Sequence, residues 1–234
     1  MGVNGFAPYR GPSEIDGKPI KAILTGTKRK SKNKKTNDML QLFILAEASK
    51  PSDAIRNGDD VSVCGECIHR PIKVAEAKAK ATTQAEIDAV AAPCYVEVGK
   101  APNAVYKATY PDHGEAKRKP PARFGAYGEP TAVPYEIIAG YTENGHTGYT
   151  HRWRECDQRF RQYLMASVDT PAEYAEATTM GWRTFRVRKP WEPVFSGEAI
   201  CPASEEAGQR TTCNKCLLCA GTSKQAKNIV IIEH

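Results

Sequence analysis

The sequence lacks any apolar run long enough to cross a membrane. No window approaches the roughly 18 apolar residues that a spanning helix needs, and residues 1–12 have no apolar core of the kind found in secretory signals. These absences predict a cytoplasmic protein. The chain has 234 residues, 41% of them hydrophobic and 26% charged, which is typical of a single folded domain with its own core.

Several common catalytic signatures are also missing. The chain has no GxSxG nucleophile elbow, no P-loop, no Rossmann glycine fingerprint and no HExxH motif. These absences argue against a serine hydrolase, a P-loop nucleotidase, a Rossmann dehydrogenase and a zinc protease of the common types. Whether the protein is an enzyme at all stays open.

Positive charge is concentrated in one segment, residues 28–36, and without it the charges of the chain would balance. Its cations are Lys28, Arg29, Lys30, Lys32, Lys34 and Lys35. Such a run is typical of a solvated loop between two strands. The alternative is a patch that binds nucleic acid through its phosphates, or binds another protein. No aromatic residue interleaves the run, so we do not expect base stacking.

Short β-type runs alternate with helical segments along the chain, which is typical of βα units with parallel strands. We predict strands at residues 20–25, 40–46, 123–127, 147–152, 163–168, 183–188 and 228–232. We predict helices at residues 72–92, 133–142 and 171–180. Thr83 and Glu86 have the spacing of a capping box within the first, and Thr170 is the predicted N-cap of the last. Residues 1–19 are predicted to be an irregular lead-in and residues 111–121 an exposed loop, because both are rich in Pro, Gly or charge.

Polar residues follow the predicted strands at their carboxyl ends, where ligands bind in parallel α/β sheets. They are Glu129, His151, Asp169 and Arg188. In an enzyme, His151 or Asp169 would move protons and Arg188 would hold an anionic group of the substrate. The alternative is that all four are rim residues in surface salt bridges.

Near the C-terminal end of the chain, three cysteines follow one another with two residues between each and the next. Cys213, Cys216 and Cys219 can reach three corners of one iron–sulfur cubane, and Cys201, followed by Pro202, is the predicted fourth ligand. We therefore predict a [4Fe–4S] cluster in a cysteine-rich loop at residues 201–221. Zinc is the main alternative, because CxxC pairs also build tetrahedral zinc sites. Unligated thiols are the third reading.

A second candidate set contains Cys64, Cys67 and Cys94. Gly65, between the first two, permits the tight turn that a chelating loop needs. The set lacks a fourth thiol, and either His69 or Cys156 could complete it. The alternatives are a second cluster, an iron with an open position, or a zinc knuckle closed by His69.

Several segments together resemble a bacteriophage family akin to the phage "gene product 88" proteins. The segments are residues 94–96, 123–130, 148–151, 164–169, 201–203 and 229–234, with the CxxCxxC run. The resemblance implies a phage origin, a radical-SAM-like partial or distorted (β/α) barrel, and an iron–sulfur centre held by cysteines. The CxxxCxxC motif of radical-SAM enzymes is missing, so the use of S-adenosylmethionine stays open, and the resemblance implies no known reaction.

Two functions from different classes follow. The first is an iron–sulfur protein of phage type, redox-active or catalytic, with a pocket at the strand ends. The second is a binding module whose metal, zinc or iron–sulfur, is structural and whose basic loop contacts nucleic acid or a host protein.

Overall fold

The computed structural model describes residues 3–30, 36 and 38–233. The strands found in this part of the chain are β1 (Gly5–Pro12), β2 (Pro19–Thr25), β3 (Leu40–Ala46), β4 (Ala122–Tyr127), β5 (His146–Thr147), β6 (Tyr149–Thr150), β7 (Met165–Val168), β8 (Thr184–Arg188), β9 (Glu198–Ile200) and β10 (Asn228–Ile232). The helices are α1 (Pro51–Asn57), α2 (Val61–Cys64), α3 (Pro71–Lys80), α4 (Gln84–Ala89), α5 (Ala101–Lys107), α6 (Tyr135–Ala139), α7 (Pro171–Thr179) and α8 (Cys213–Cys216). None of these helices has the length and apolar character required to span a membrane.

The strands form two five-stranded sheets. In the first, of order β1-β2-β3-β4-β5, the two pairs made by β1, β2 and β3 are antiparallel, and β4 and β5 then add in parallel. In the second, of order β6-β7-β8-β10-β9, every pair is parallel. The prediction of a mixed α/β fold with parallel strands is confirmed.

One short stretch of chain belongs to both sheets. His146 and Thr147 pair with β4, and Tyr149 and Thr150 pair with β7, so that only Gly148 separates the two pairings. A Cβ at Gly148 would lie 2.5 Å from a methyl carbon of Leu164, which explains why this position carries no side chain. The single predicted strand at residues 147–152 is therefore two short strands joined at a glycine.

The first sheet is buried on both faces. One face packs into the main core, to which Leu42, Ile44 and Phe124 contribute. The opposite face carries Phe43 and Leu45, which are covered by the segment that includes α5. Because both faces are buried, β3 reads as a continuous apolar run and could be predicted with its exact bounds.

The prediction of an irregular lead-in at residues 1–19 is wrong, because β1 occupies 8 of these residues. The strand lies at the edge of the sheet, where a proline without an N–H group breaks no ladder on the open side. The pairing with β2 shifts register between Phe6 and Tyr9, so the strand absorbs Pro8 in a bulge. Gly and Pro content alone did not distinguish such an edge strand from a loop.

The predicted helix at residues 72–92 is divided into α3 and α4. Thr83 caps α4 by accepting a hydrogen bond from the backbone N–H of Glu86, and the Glu86 carboxylate accepts from the backbone N–H of Thr83 in return. The predicted capping box is therefore confirmed, but it lies at the start of α4, a separate helix, and not inside one continuous helix. In α7, the predicted Thr170 cap is also confirmed.

The basic loop joins β2 to β3 in an antiparallel pair, as predicted for a loop between two strands. Lys28, Arg29 and Lys30 are exposed, and Asn4 accepts hydrogen bonds from the backbone N–H groups of the first two. Lys32, Lys34 and Lys35 lie outside the described residues. The predicted loop at residues 111–121 has neither helix nor strand and is largely exposed.

A buried ion pair ties the second sheet together. The Arg186 guanidinium on β8 donates to both carboxylate oxygens of Glu198 on β9, at 2.7 and 2.8 Å, and both side chains are fully buried. Because β10 lies between these two strands, the pair spans three strands of the sheet. Removal of either partner would leave a buried charge without its counter-ion.

We therefore expect Glu198→Ala to lower the free energy of unfolding by about 3–5 kcal/mol, measured by urea denaturation. The matched control is Glu136→Ala, whose ion pair with Arg159 is exposed on both sides and whose loss should cost less than about 1 kcal/mol. Equal effects of the two substitutions would contradict this account of the second sheet.

Candidate metal centres

The four C-terminal cysteines line one cavity on the second sheet. Cys201 follows β9, Cys213 and Cys216 lie on α8, and Cys219 comes shortly after that helix. Cys201 and Cys219 are buried, and the other two are half-buried. Two separate stretches of chain, the residues after β9 and the run from Cys213 to Cys219, thus bring four thiols to one place.

The local backbone explains how three cysteines of one short segment face the same cavity. Cys213 and Cys216 are three residues apart on a single helical turn, which places them on one side of it. Leu217 then adopts a left-handed conformation, with φ 51°, and ends the helix. The carbonyl of Cys219 accepts a hydrogen bond from the backbone N–H of Gly148, which fixes the returning chain against the joint between the sheets.

The surroundings of the cavity are mostly apolar, with one donor aimed at sulfur. Phe185, Leu218 and Ile229 are among its lining residues. The Tyr149 hydroxyl donates a hydrogen bond to the Cys219 thiol, which lowers the pKa of that thiol, but burial outweighs this and raises the pKa to about 12. Cys219 therefore stays protonated at neutral pH unless a cation replaces the proton.

The donor set of this cavity fits a thiolate-bound metal group. It offers four sulfur ligands, an apolar shell and a hydroxyl hydrogen bond to sulfur, which are the features that tune iron–sulfur centres. The Arg123 guanidinium also interacts electrostatically with Cys213 and Tyr149 and adds positive charge near the thiols. None of the eight cysteines, all of which lie in the described residues, forms a disulfide.

The second predicted cysteine set also gathers in one region, beside the first sheet. Electrostatic interactions link Cys64, Cys67 and Cys94, and Glu129 acts on the first two. Gly65 has φ 58°, so the predicted turn after Cys64 is confirmed. The backbone N–H two residues further along the chain donates to sulfur at Cys67 and again at Cys94.

A buried clamp holds the loop that carries Cys64 and Cys67. The Arg70 guanidinium donates to both carboxylate oxygens of Asp60, at 2.6 and 3.1 Å, and to the carbonyl of Gly65 at 2.9 Å. Both charged side chains are buried. The planar guanidinium satisfies these acceptors together, which fixes the loop from both of its ends.

Two histidines and a carboxylate meet next to this second set. His69, His151 and Asp169 each bring a ligand atom within 4.8 Å of the other two, and they are the one such group of three found in the described residues. Glu129 is buried and accepts a hydrogen bond from the backbone N–H of His151 at 3.0 Å. Three of the four predicted pocket residues therefore do lie together, close to the second cysteine set rather than the C-terminal one.

The fourth predicted pocket residue, Arg188, lies elsewhere. Its guanidinium pairs with Glu206 and donates to the carbonyl of Glu192 at 3.0 Å, so it holds the chain that follows β8. Cys156 lines a polar groove with Arg152 and Arg159, and Glu129 acts electrostatically on it as on Cys64 and Cys67. Arg188 is thus placed as a structural residue, and Cys156 stays a predicted ligand of the second set.

Two features of these sites were missed from the sequence. Tyr149, whose hydroxyl hydrogen-bonds the Cys219 thiol, was not predicted as part of the site. The Asp60–Arg70 clamp was also missed, although two opposite charges flanking a CxxC loop are a visible signal. The partnership between His69 and Asp169 joins residues 100 positions apart, and local patterns carry no information about it.

No family model matches the chain, and neither a curated protein nor a solved structure matches it. The function therefore has to be inferred from the geometry of the two groups.

We expect Arg70→Lys to loosen the loop at residues 58–70, because lysine cannot bind the Asp60 carboxylate and the Gly65 carbonyl together. Local stability should fall by about 2 kcal/mol, seen as faster amide hydrogen exchange in this loop. Arg56→Lys is the matched control, since the Arg56–Asp53 pair is exposed. Equal exchange in both variants would show that Arg70 does not hold the loop.

Proposed function

We propose that this chain is an iron–sulfur protein whose [4Fe–4S] cluster is held by Cys201, Cys213, Cys216 and Cys219. The observation that carries the proposal is the convergence of these four thiols on one cavity. If these cysteines served only as small apolar residues, Cys201 would have no reason to meet a CxxCxxC run that lies 12 residues further along the chain. Their convergence with a hydroxyl donor and an apolar lining is what a thiolate-bound group requires.

The spacing of the thiols favours a polynuclear cluster over a single zinc ion. A structural zinc site commonly takes two ligands from each of two separated CxxC loops. Here three equally spaced cysteines follow one another in a single run, which suits a multi-iron cluster better.

When bound, such a cluster supplies one-electron redox chemistry. The protein residues around it set the conditions for that chemistry. Tyr149 donates a hydrogen bond to one sulfur and Arg123 contributes positive charge, and both favour the reduced, more negative state. Phe185, Leu218 and Ile229 keep water away from the sulfurs.

From the resemblance to the phage family, we also propose that the protein is of phage type and cytoplasmic. In this proposal the two sheets correspond to a partial or distorted (β/α) barrel. The shared stretch at residues 146–150, from which one sheet leads into the other, supports this reading. If the protein is an enzyme, its pocket is formed by Glu129, His151 and Asp169 rather than by Arg188.

The competing proposal is a binding module with a purely structural metal. Its support is the exposure of Lys28, Arg29 and Lys30 on the loop between β2 and β3. Such a patch would bind nucleic acid with a strong dependence on salt and little dependence on sequence. A host protein with an acidic surface is the other partner that this charge would suit.

Anaerobic purification should yield a brown protein with about four irons and four sulfides per chain. Cys216→Ser should lose most of this iron and sulfide, because it removes one of the four ligands. The matched control is Cys156→Ala, which removes a thiol in a different groove and should retain the cluster. A colourless protein with about one zinc per chain would contradict the proposal and favour a structural zinc site.

Replacement of Lys28, Arg29, Lys30, Lys32, Lys34 and Lys35 by Ser should leave the iron content unchanged, because the loop contributes no cluster ligand. Binding to a labelled single-stranded DNA, measured by fluorescence anisotropy at two salt concentrations, tests the competing module. Salt-dependent binding by the parent chain that the variant loses would support the module. The matched control replaces Lys117, Arg118 and Lys119 on the other basic stretch.

A further inference from the structure

The group formed by His69, His151 and Asp169 is separate from the four C-terminal cysteines and has no role in the proposed cluster. It lies at the carboxyl ends of β6 and β7, where loops converge on a parallel sheet. The ring centroids of the two histidines are 5.4 Å apart. All three side chains are half-buried, so a small ion could reach them from solvent.

The hydrogen bonds of His69 determine which ring nitrogen faces Asp169. Its Nδ1 lies 2.7 Å from the carbonyl oxygen of Ala92, and because a carbonyl only accepts, Nδ1 must carry a proton. With Nδ1 protonated, Nε2 is the ring atom that faces both carboxylate oxygens of Asp169, at 3.3 Å. This nitrogen and the carboxylate need a cation between them, which is either the proton of an ion pair or a metal ion.

The separation of these atoms suits a metal ion bound by both. A nitrogen and an oxygen that each lie about 2.1 Å from one metal ion, in adjacent positions, are about 3.0–3.4 Å apart. The observed distance of 3.3 Å falls within this range. A direct hydrogen bond between a charged imidazole and a carboxylate is shorter, at about 2.7–2.9 Å.

His151 adds a third ligand to the group. Among the described residues, no group donates to or accepts from its ring nitrogens, while its backbone N–H is fixed by Glu129. An imidazole with no hydrogen-bond partner, next to a carboxylate and a second imidazole, is available to coordinate a metal ion.

We propose that His69, His151 and Asp169 bind one divalent first-row transition-metal ion. Two imidazoles and one carboxylate that leave other positions open form the ligand set of mononuclear non-haem iron(II) sites, and the same donors also accept cobalt(II) or zinc(II). The open positions would admit water or a small substrate. This site does not depend on the proposed cluster, since it shares no residue with it.

Outer contacts hold each ligand in place, as they do in established metal sites. The Ala92 carbonyl fixes the tautomer of His69, and Glu129 anchors the backbone of His151. The Glu173 carboxylate accepts from the backbone N–H of Asp169 at 2.9 Å, on the turn that begins α7. The ligands are therefore oriented before any ion arrives.

The test is a titration of the full-length protein with Co²⁺ under anaerobic conditions, with metal content and absorption recorded together. The variants His69→Gln, His151→Gln and Asp169→Asn remove one proposed ligand each. His113→Gln and Asp157→Asn are matched controls, because both residues lie outside the group. The absorption of thiolate-bound cobalt reports separately on the two cysteine sets, and circular dichroism verifies that each variant is folded.

The proposal predicts that each ligand variant binds one fewer equivalent of Co²⁺ than the parent and the controls, with unchanged thiolate absorption. If the parent and the ligand variants bind equal numbers of Co²⁺ equivalents, the proposal is overturned, and His69 and Asp169 form an ordinary ion pair between a protonated imidazole and a carboxylate. Loss of thiolate absorption in the ligand variants would also overturn it, because the histidines would then belong to the Cys64, Cys67 and Cys94 set.

A second readout needs no substitution and therefore cannot fail through misfolding. Addition of Zn²⁺ to the ¹⁵N-labelled parent should shift the ring nitrogen signals of two histidines, His69 and His151, and leave that of His113 in place. Unshifted signals for both would overturn the site. Because no variant here replaces Cys201, Cys213, Cys216 or Cys219, and thiolate absorption is followed as a separate signal, failure here is distinct from failure of the proposed cluster.

Discussion

The five residues His146 to Thr150 are the constraint on which both candidate centres depend. They pair with β4 on one side of Gly148 and with β7 on the other, so they set how the first sheet meets the second. Gly148 also holds the carbonyl of Cys219, and Tyr149 hydrogen-bonds its thiol. The residue that follows this stretch is His151, which lies close to Asp169 and His69. A change in this joint would therefore disturb both centres at once.

Burial is the second common element, because it makes both centres costly without a cation. The Cys67 and Cys219 thiols each have a pKa raised to about 12 by burial, so they lose their protons at neutral pH only when a metal ion replaces them. At His69 and Asp169, a ring nitrogen and a carboxylate face one another in a half-buried position and need a cation, either a proton or a metal ion, between them. Metal binding would therefore release protons and stabilise the folded chain, and its affinity would rise with pH over the range in which the thiols ionise.

The sequence allowed prediction of what is local, and failed where distant residues decide the outcome. The β3 run and the Thr83 and Thr170 caps were predictable, because each depends on neighbouring residues alone. The edge strand β1 was missed, since its prolines are acceptable only at the margin of a sheet. The four C-terminal cysteines could be grouped by spacing. Arg188 could not be excluded from the pocket, because its partner Glu206 comes from a loop whose course only the fold determines.

X-ray absorption at the metal edge can decide whether the four convergent thiols hold one polynuclear iron–sulfur centre. The anaerobically purified protein should show an iron edge, with a first shell of sulfur and a second shell of iron at short range. Both shells should disappear together in a Cys213→Ser, Cys216→Ser variant. A zinc edge with a single shell of sulfur at about 2.3 Å, and no metal neighbour, would contradict the proposed cluster.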